Sequence, residues 1–398
     1  MAIASGLPIE LTRETLKTWM ATEGVNLKQI AIFSLVGLPY TVKFLWAPIV
    51  DAWVPRFLDR RRSWMVICQG VLFVITVLMA FFNPREQPAM MAYLAFCLAF
   101  VSATQDIVID AYRAEVLDAN ELGAGAGIAI LGYRIGMIIT GAVALVLADH
   151  FPWRVVYLMM GTTFFIGTIA ALLGPNVSGE VKPPQSFRDA VVLPFVSYFK
   201  QRGSVEILGF ILLYKIGDVL ASVLTGPFFV QLGFTLTEIG VVKKGVGLFA
   251  TILGSLIGGA IMSRLTMKHA LLYFGFLQAL STLCFGVLAV IGPDRTFMVV
   301  TIVFENLSAG FGTAAFIGFL MGLCNRRFTG TQYALLSSLA AVSGVFLGSG
   351  TGFVITAIGW PMFFTLCTAL AVPGMLLIMY RFDYWDTGEG LALSRASF

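Results

Sequence analysis

Charged residues of both signs recur at helical spacing inside segments that are otherwise apolar. Glu10, Arg13, Glu14 and Lys17 follow one another at i, i+3, i+4 and i+7, so all four share one face of a helix. A charged side chain at the centre of a membrane helix costs about 2.5–3.5 kcal/mol on insertion scales. If the segment spans a membrane, this stripe is expected to line a water-filled cavity in the outer half of the membrane rather than to face lipid.

Three further acids lie within apolar segments and are candidates for carrying a proton. Asp106 shares a helix face with Asp110, Asp218 shares one with Lys215, and Glu305 lies in another apolar run. Protonation of a paired acid would release its base, which is the minimum that proton coupling requires. Structural ion pairs have the same signature, so both interpretations stay open.

A second charged group falls between two apolar segments. Asp51 is followed by Arg60, Arg61 and Arg62. A carboxylate at a helix end can hold a gate closed by pairing with arginines or with a neighbouring helix N-terminus, and we include Asp110 in this predicted cytoplasmic gate. The alternative is that these arginines only orient the chain in the membrane.

The elements that position these residues are predicted to be membrane helices. The chain has 398 residues, of which 58% are hydrophobic and 12% charged, and its mean hydropathy is +0.88. This balance excludes a soluble enzyme, a disordered chain and a nucleic-acid-binding protein. Twelve spans are expected near 1–21, 29–50, 63–82, 89–110, 122–148, 152–174, 204–230, 237–262, 268–291, 296–322, 329–357 and 361–380.

Loop charges orient these spans. The loops on the side of both predicted termini carry 15 Lys and Arg residues, and the opposite loops carry 4. The positive-inside rule therefore predicts cytoplasmic N- and C-termini. The longest break divides the chain into an N-terminal six-helix bundle (1–174), a cytoplasmic linker with an amphipathic helix (175–203), and a C-terminal six-helix bundle with a short tail (204–398).

The two halves carry a weak internal repeat. Gly24, Leu27 and Ile30 recur as Gly233, Leu236 and Ile239 at an offset of 209, between the first and second spans of each half. Parallel six-helix halves are the plan of the major facilitator transporters. The predicted fold is therefore an all-α integral membrane protein, with twelve transmembrane helices in two pseudo-symmetric bundles. The same offset predicts that the first span is truncated at its start.

Motifs for other chemistries are absent from the sequence. It contains neither a phosphate-binding P-loop nor an H-E-x-x-H or G-x-S-x-G motif. The five cysteines are widely spaced within apolar runs, and the two histidines are far apart. We therefore expect no enzymatic activity, no cofactor, no metal site and no nucleic-acid partner.

Motifs along nearly the whole chain resemble the AmpG-type muropeptide permeases of the major facilitator superfamily. The matching strings are ASGLP at 4–8, FSLVG at 33–37, KFLWAP at 43–48 with Asp51, RRR at 60–62, ATQDIVID at 103–110, GAGAG at 123–127, LGYRIGM at 131–137, LYKIGD at 213–218, FEN at 304–306, LCN at 323–325 and TQYALL at 331–336.

The resemblance implies a proton-driven importer in the bacterial inner membrane. Such permeases carry N-acetylglucosaminyl-1,6-anhydro-N-acetylmuramic acid, with or without its peptide, for peptidoglycan recycling. The predicted cavity suits this cargo, and we expect the partners to be this small molecule, protons and lipid, with a monomeric protein. The expected substrate contacts are sugar-binding amides and carboxylate-binding cations at Gln105, Asn306, Gln332, Lys43, Arg134 and Lys215.

Two sets of charges depart from the family pattern. The charged stripe at 10–17 replaces a mostly uncharged segment, and Lys243 with Lys244 is more basic than expected. Both lie where solute would enter, so the exact substrate stays open. A permease for another anionic or zwitterionic solute, such as a siderophore or an acyl-coenzyme A compound, is the first alternative. A non-transporting membrane scaffold or assembly factor is the second.

Overall fold

The structure is a computed structural model that describes residues 1–46, 58–116, 131–176, 203–262, 264–323 and 344–386, with the isolated positions 50, 55, 199, 336 and 339. Every regular element among these residues is helical. Two predicted site residues, Asp51 and Gln332, lie outside the described residues, as do the side chain of Arg60 and most of the predicted linker.

Nine helical stretches within the described residues are long and apolar enough to cross a membrane. They are Arg61–Met79, Pro88–Arg113, Leu131–Ala148, Trp153–Leu173, Ser204–Leu232, Leu236–Met262, Met267–Ile291, Arg295–Leu320 and Gly344–Trp385. We label the helices used below α1 (Ala2–Thr12), α2 (Glu14–Thr22), α3 (Pro88–Val116), α4 (Leu131–Ala148), α5 (Ser204–Ser222), α6 (Leu236–Met262), α7 (Met267–Ile291), α8 (Arg295–Leu323) and α9 (Thr351–Asp386).

The first two predicted spans are broken into short helices. The predicted span 1–21 consists of α1 and α2, which are separated at Arg13, whose backbone (φ −116°, ψ −98°) is not helical. The predicted span 29–50 contains a 3-10 segment, Phe33–Gly37, followed by Pro39, which cannot donate a backbone hydrogen bond. At the other end, the described part of the predicted eleventh span is separated from the twelfth by Gly359, whose backbone (φ +76°, ψ 167°) is not helical.

The internal repeat predicted from sequence is present in the backbone. Gly24 and Gly233 both have positive φ, at 74° and 93°. Two residues later, Asn26 and Thr235 each cap the next helix by accepting a hydrogen bond from a backbone N–H three residues on, at 2.9 and 3.2 Å. The same helix-ending turn and helix-starting cap therefore occur at an offset of 209 in both halves.

Glycines let helices approach closely. A Cβ at Gly136 of α4 would lie 2.3 Å from the backbone oxygen of Ile3, and one at Gly254 of α6 would lie 2.3 Å from that of Leu307. Close backbone approach of this kind is how membrane helices pack in the absence of a hydrophobic driving force.

The described residues group into two compact units. The first comprises described parts of Met1–Pro183 together with Gly226–Lys244, and the second comprises described parts of Pro184–Thr225 and Gly245–Phe398. In the first unit Trp19 stacks on Trp153, with ring centroids 5.7 Å apart. In the second, the core includes Phe319 and Trp385, which are fully buried.

Candidate functional site

Two ion pairs join the first span to the start of α6 within the first unit. Glu14 pairs with Lys243, and Glu10 pairs with Lys244 across 2.8 Å. All four side chains are at most 19% exposed. We call these four residues the clamp. The two departures from the family pattern are therefore each other's partners.

The clamp lysines lie on an irregular helix. Residues Ile239–Val246 of α6 form a π-helical turn, and so does Ile139–Val143 of α4. Such turns are rare and are often found at functional sites. Gly141 of α4 lies directly against the clamp, because a Cβ there would be in van der Waals contact, at 3.5 Å, with both the Glu10 and the Lys244 side chains.

Further contacts hold Gly226–Lys244, which we call the docked segment, against the rest of the first unit. The Asp149 carboxylate accepts backbone hydrogen bonds from Leu236 (3.1 Å) and Thr237 (2.5 Å) at the start of α6. These two N–H groups have no partner within the helix, so the carboxylate adds to the cap that Thr235 provides at the same helix start. A Cβ at Gly226 would lie 2.5 Å from the Thr18 hydroxyl oxygen.

The other two stripe residues have different surroundings. Lys17 is 5% exposed, and its ammonium group donates to the Ser34 hydroxyl at 3.1 Å. Arg13 is exposed at the break between α1 and α2. The four residues that share a helix face in the sequence thus divide into two clamp acids, one buried base and one exposed base.

A second polar cluster surrounds Tyr133 in the same unit. The charges of Asp106, Arg13, Arg134 and Glu10 all act on the Tyr133 hydroxyl. Asp106 accepts a hydrogen bond from the hydroxyl of Ser5 on α1. Lys43 is close enough for its charge to act on Asp106. Lys43 therefore lies within electrostatic range of Asp106, and Arg134, Arg13 and Asp106 lie within electrostatic range of Tyr133.

Gln105 is fully buried and its amide is engaged within the protein. Its Nε2 donates to the backbone oxygen of Ala4 at 2.9 Å, and its Oε1 accepts from Gln69 at 2.5 Å. Both ends of this amide therefore hold helices together in the structure.

The second unit contains a polar group at a small cavity. Lys215 and Asp218 of α5 pair across 3.4 Å, and Gln278 of α7 donates to the same carboxylate oxygen at 3.4 Å. The predicted sharing of a face by these two α5 residues is confirmed. Asp218 and Gln278 line a cavity of about 10 Å³, with Tyr214 and Thr282 also in its wall. A volume of this size is at the lower limit for a single water molecule.

The Asn306 amide joins α8 to α6 in the second unit. Its oxygen accepts from the Thr251 hydroxyl at 2.9 Å, and its nitrogen donates to Glu305 at 2.5 Å. This network keeps a carboxylate hydrogen-bonded to a neutral amide within an apolar helix.

The described residues of the predicted gate make contacts inside the first unit. Asp110 pairs with Arg113 of its own helix at 3.1 Å, and both side chains are exposed. Arg62 donates to the backbone oxygen of Gly174 at 2.5 Å, while Arg61 is 4% exposed.

Sequence reasoning missed several polar residues that complete these clusters. Ser5, Asp149 and Gln278 were not predicted as site residues. Gln278 does carry a signal that could have been used, because Gln69 lies 209 residues before it and both engage a polar partner on a neighbouring helix. Among the described residues, no three His, Cys, Asp or Glu side chains are grouped to hold a metal ion.

Comparison with known proteins places the chain in a family. The sequence profile of the Major Facilitator Superfamily matches residues 14–349. The anhydromuropeptide permease of Escherichia coli K12 is 44% identical over 381 residues, which cover 95% of this chain and 78% of that protein. The putative transporter AmpG 4 of Rickettsia conorii is 32% identical over 391 residues, covering 96% and 94% of the two chains.

A solved structure gives the same fold. The crystal structure of the nucleoside transporter NupG matches with a TM-score of 0.74 at 14% identity, and the match covers 96% of this chain and 98% of that one. This likeness shows the fold alone. Together with the family profile and the sequence identities, it establishes that the chain belongs to the major facilitator superfamily and, within it, to the AmpG-type permeases.

Proposed function

We propose that this protein imports anhydro-muropeptides, including GlcNAc-anhydro-MurNAc, from the periplasm to the cytoplasm of a bacterium, driven by protons. The observation that carries the proposal is the 44% identity, over 95% of the chain, to a protein named anhydromuropeptide permease. A permease moves its solute without changing it chemically, so no catalytic residue is assigned. The protein would act as a monomer in the inner membrane.

Orientation follows from the loop charges. With 15 Lys and Arg residues in the loops on one side and 4 on the other, both termini would be cytoplasmic. The turns at Gly24 and Gly233 would then face the periplasm, and the clamp would lie in the outer half of the membrane.

The Tyr133 cluster is the proposed site for the solute's carboxylates. Arg13 is exposed at the level of a membrane span, which favours contact with water in a solute path because an arginine facing lipid is costly. Arg134 and Lys43 add positive charge near the same tyrosine and aspartate. Asn306, Gln332 and Lys215 are proposed contacts from the other half of the sequence. Both ends of the Gln105 amide are hydrogen-bonded within the protein, which supports a structural role in addition to the proposed contact with the sugar.

Asp218 is the proposed proton carrier that its surroundings support best. It is paired with Lys215 at 3.4 Å beside a cavity near the size of one water, so protonation would release a base inside the membrane. Asp106 and Glu305 are hydrogen-bonded to neutral partners, Ser5 and Asn306, and remain the other two candidates.

Transport would occur by alternating access of the halves 1–174 and 204–398, with 175–203 as the linker. In this proposal the clamp closes the periplasmic side. The cytoplasmic gate is formed by Asp51, Asp110 and the three arginines at 60–62. The excess of basic groups around the stripe also supports a second candidate, a permease for a different anionic or zwitterionic solute.

A genetic experiment tests the proposed cargo. A Gram-negative strain that lacks its own muropeptide permease would be given this gene, and anhydro-muropeptides in the growth medium would be measured. We expect the gene to lower their release to the level of the parent strain. Unchanged release, with the protein present in the membrane, would direct the search to other anionic solutes.

A further inference from the structure

The charges of the clamp and the stripe do not balance. The stripe is neutral by itself, because it contains two acids, Glu10 and Glu14, and two bases, Arg13 and Lys17. In the structure both carboxylates pair instead with Lys243 and Lys244. The whole group therefore contains four cations and two carboxylates.

This imbalance has a consequence when the docked segment leaves the first span. Each glutamate then has a base three residues further along the chain that can replace the lost lysine, Arg13 for Glu10 and Lys17 for Glu14. The two lysines of α6 lose their counter-ions. Two adjacent ammonium groups in a partly buried place are unfavourable unless an anion joins them.

We infer that Lys243 and Lys244 form an exchangeable anion site, at which a carboxylate of the transported solute takes the place of Glu14 and Glu10 while the clamp is open. Closing returns the glutamates to the lysines and displaces the solute carboxylate towards the interior. The site thus selects carboxylate-bearing solutes at the entrance. This inference deepens the proposed function and rests on it for the identity of the solute.

The geometry supports exchange at this place. The lysine side chains are 15% and 16% exposed, so they are accessible although paired. They lie on the π-helical turn of α6, and Lys244 packs beside Gly141 of α4. The segment that carries them is held by backbone caps and small-residue contacts that can separate without breaking a covalent bond.

A cross-linking assay reads the clamp directly. Thr18→Cys with Gly226→Cys, with the five native cysteines replaced, forms a disulfide while the segment is docked. We expect GlcNAc-anhydro-MurNAc, which carries a lactyl carboxylate, to slow this cross-link. The same disaccharide with its lactyl carboxylate converted to an uncharged amide should leave the cross-linking rate unchanged. If GlcNAc-anhydro-MurNAc itself does not change the rate, the anion site is overturned.

Two sets of substitutions distinguish an anion site from a purely structural clamp, because both break the same ion pairs. The double substitution Glu10→Gln and Glu14→Gln removes the two carboxylates that compete with the solute for the lysines. GlcNAc-anhydro-MurNAc should then slow the cross-link at about a tenfold lower concentration. The double substitution Lys243→Gln and Lys244→Gln removes the anion site. GlcNAc-anhydro-MurNAc should then slow the cross-link only at about a tenfold higher concentration, or not at all. The Lys→Arg pair keeps the charge, and retention of the acid effect would show that the protein is folded.

The outcomes separate the two proposals. Equal shifts in the Glu→Gln and Lys→Gln proteins mean that the clamp is structural and overturn the anion site. If the unaltered protein does not take up GlcNAc-anhydro-MurNAc, the proposed cargo is overturned, whatever the cross-linking shows.

Discussion

A disulfide between Thr18→Cys and Gly226→Cys should lock the docked segment in place and stop transport. A Cβ built on Gly226 lies 3.8 Å from the Cβ of Thr18. Native disulfides have Cβ–Cβ distances of about 3.5–4.5 Å, with a mean near 3.8 Å. The Thr18 hydroxyl, which crowds this Cβ at 2.5 Å, is removed by the same substitution.

The lock should be complete because the bridge limits how far the two elements can separate. A disulfide holds its two Cα atoms within about 6.8 Å, whereas an opening for a disaccharide requires a wider gap. We therefore expect uptake under oxidising conditions to fall to the background seen with a protonophore. Reduction with dithiothreitol should restore it.

The assay is uptake into reconstituted vesicles, with the cross-linked fraction measured on the same sample. The matched controls are the two single-cysteine proteins, which should be insensitive to oxidant. Full uptake by fully cross-linked protein would refute the reasoning, because the docked segment would then remain in place throughout the cycle.

Three further changes test the packing, the cap and the coupling. Gly136→Val should destabilise the protein by about 1–3 kcal/mol, since its Cβ would meet the backbone of α1 at 2.3 Å, and a fall in the melting temperature in detergent measures this. Asp149→Ala should remove the hydrogen bonds that supplement the Thr235 cap of α6, at a cost of about 1 kcal/mol, and slow the Thr18–Gly226 cross-link, while Asp149→Asn should largely retain both. Asp218→Asn should leave solute exchange down its gradient intact but abolish acceleration by a proton gradient; retained acceleration would assign the proton to another acid.

Local patterns correctly predicted the long apolar helices that follow the second span, together with the repeat and its turns. Gly24 and Gly233 match because each needs positive φ at the end of a helix, and the residues two positions later cap the next one. These features depend on neighbours within four residues, so the sequence contains the required information.

Partners distant in sequence could not be predicted in this way. Helical spacing places Glu10 and Glu14 on one face, but it does not say which helix that face meets. Their partners, Lys243 and Lys244, lie more than 200 residues away and were noted only as unexpected charges. The broken first span was also not predicted, because the Arg13 backbone geometry depends on how α1 packs.

Proton-driven import of muropeptides is tested most directly by uptake of labelled GlcNAc-anhydro-MurNAc, with and without its peptide, into proteoliposomes that are acidic outside and negative inside. We predict accumulation that a protonophore abolishes. Accumulation that is indifferent to the proton gradient would contradict proton coupling. No uptake of either form by correctly folded protein would contradict the proposed cargo.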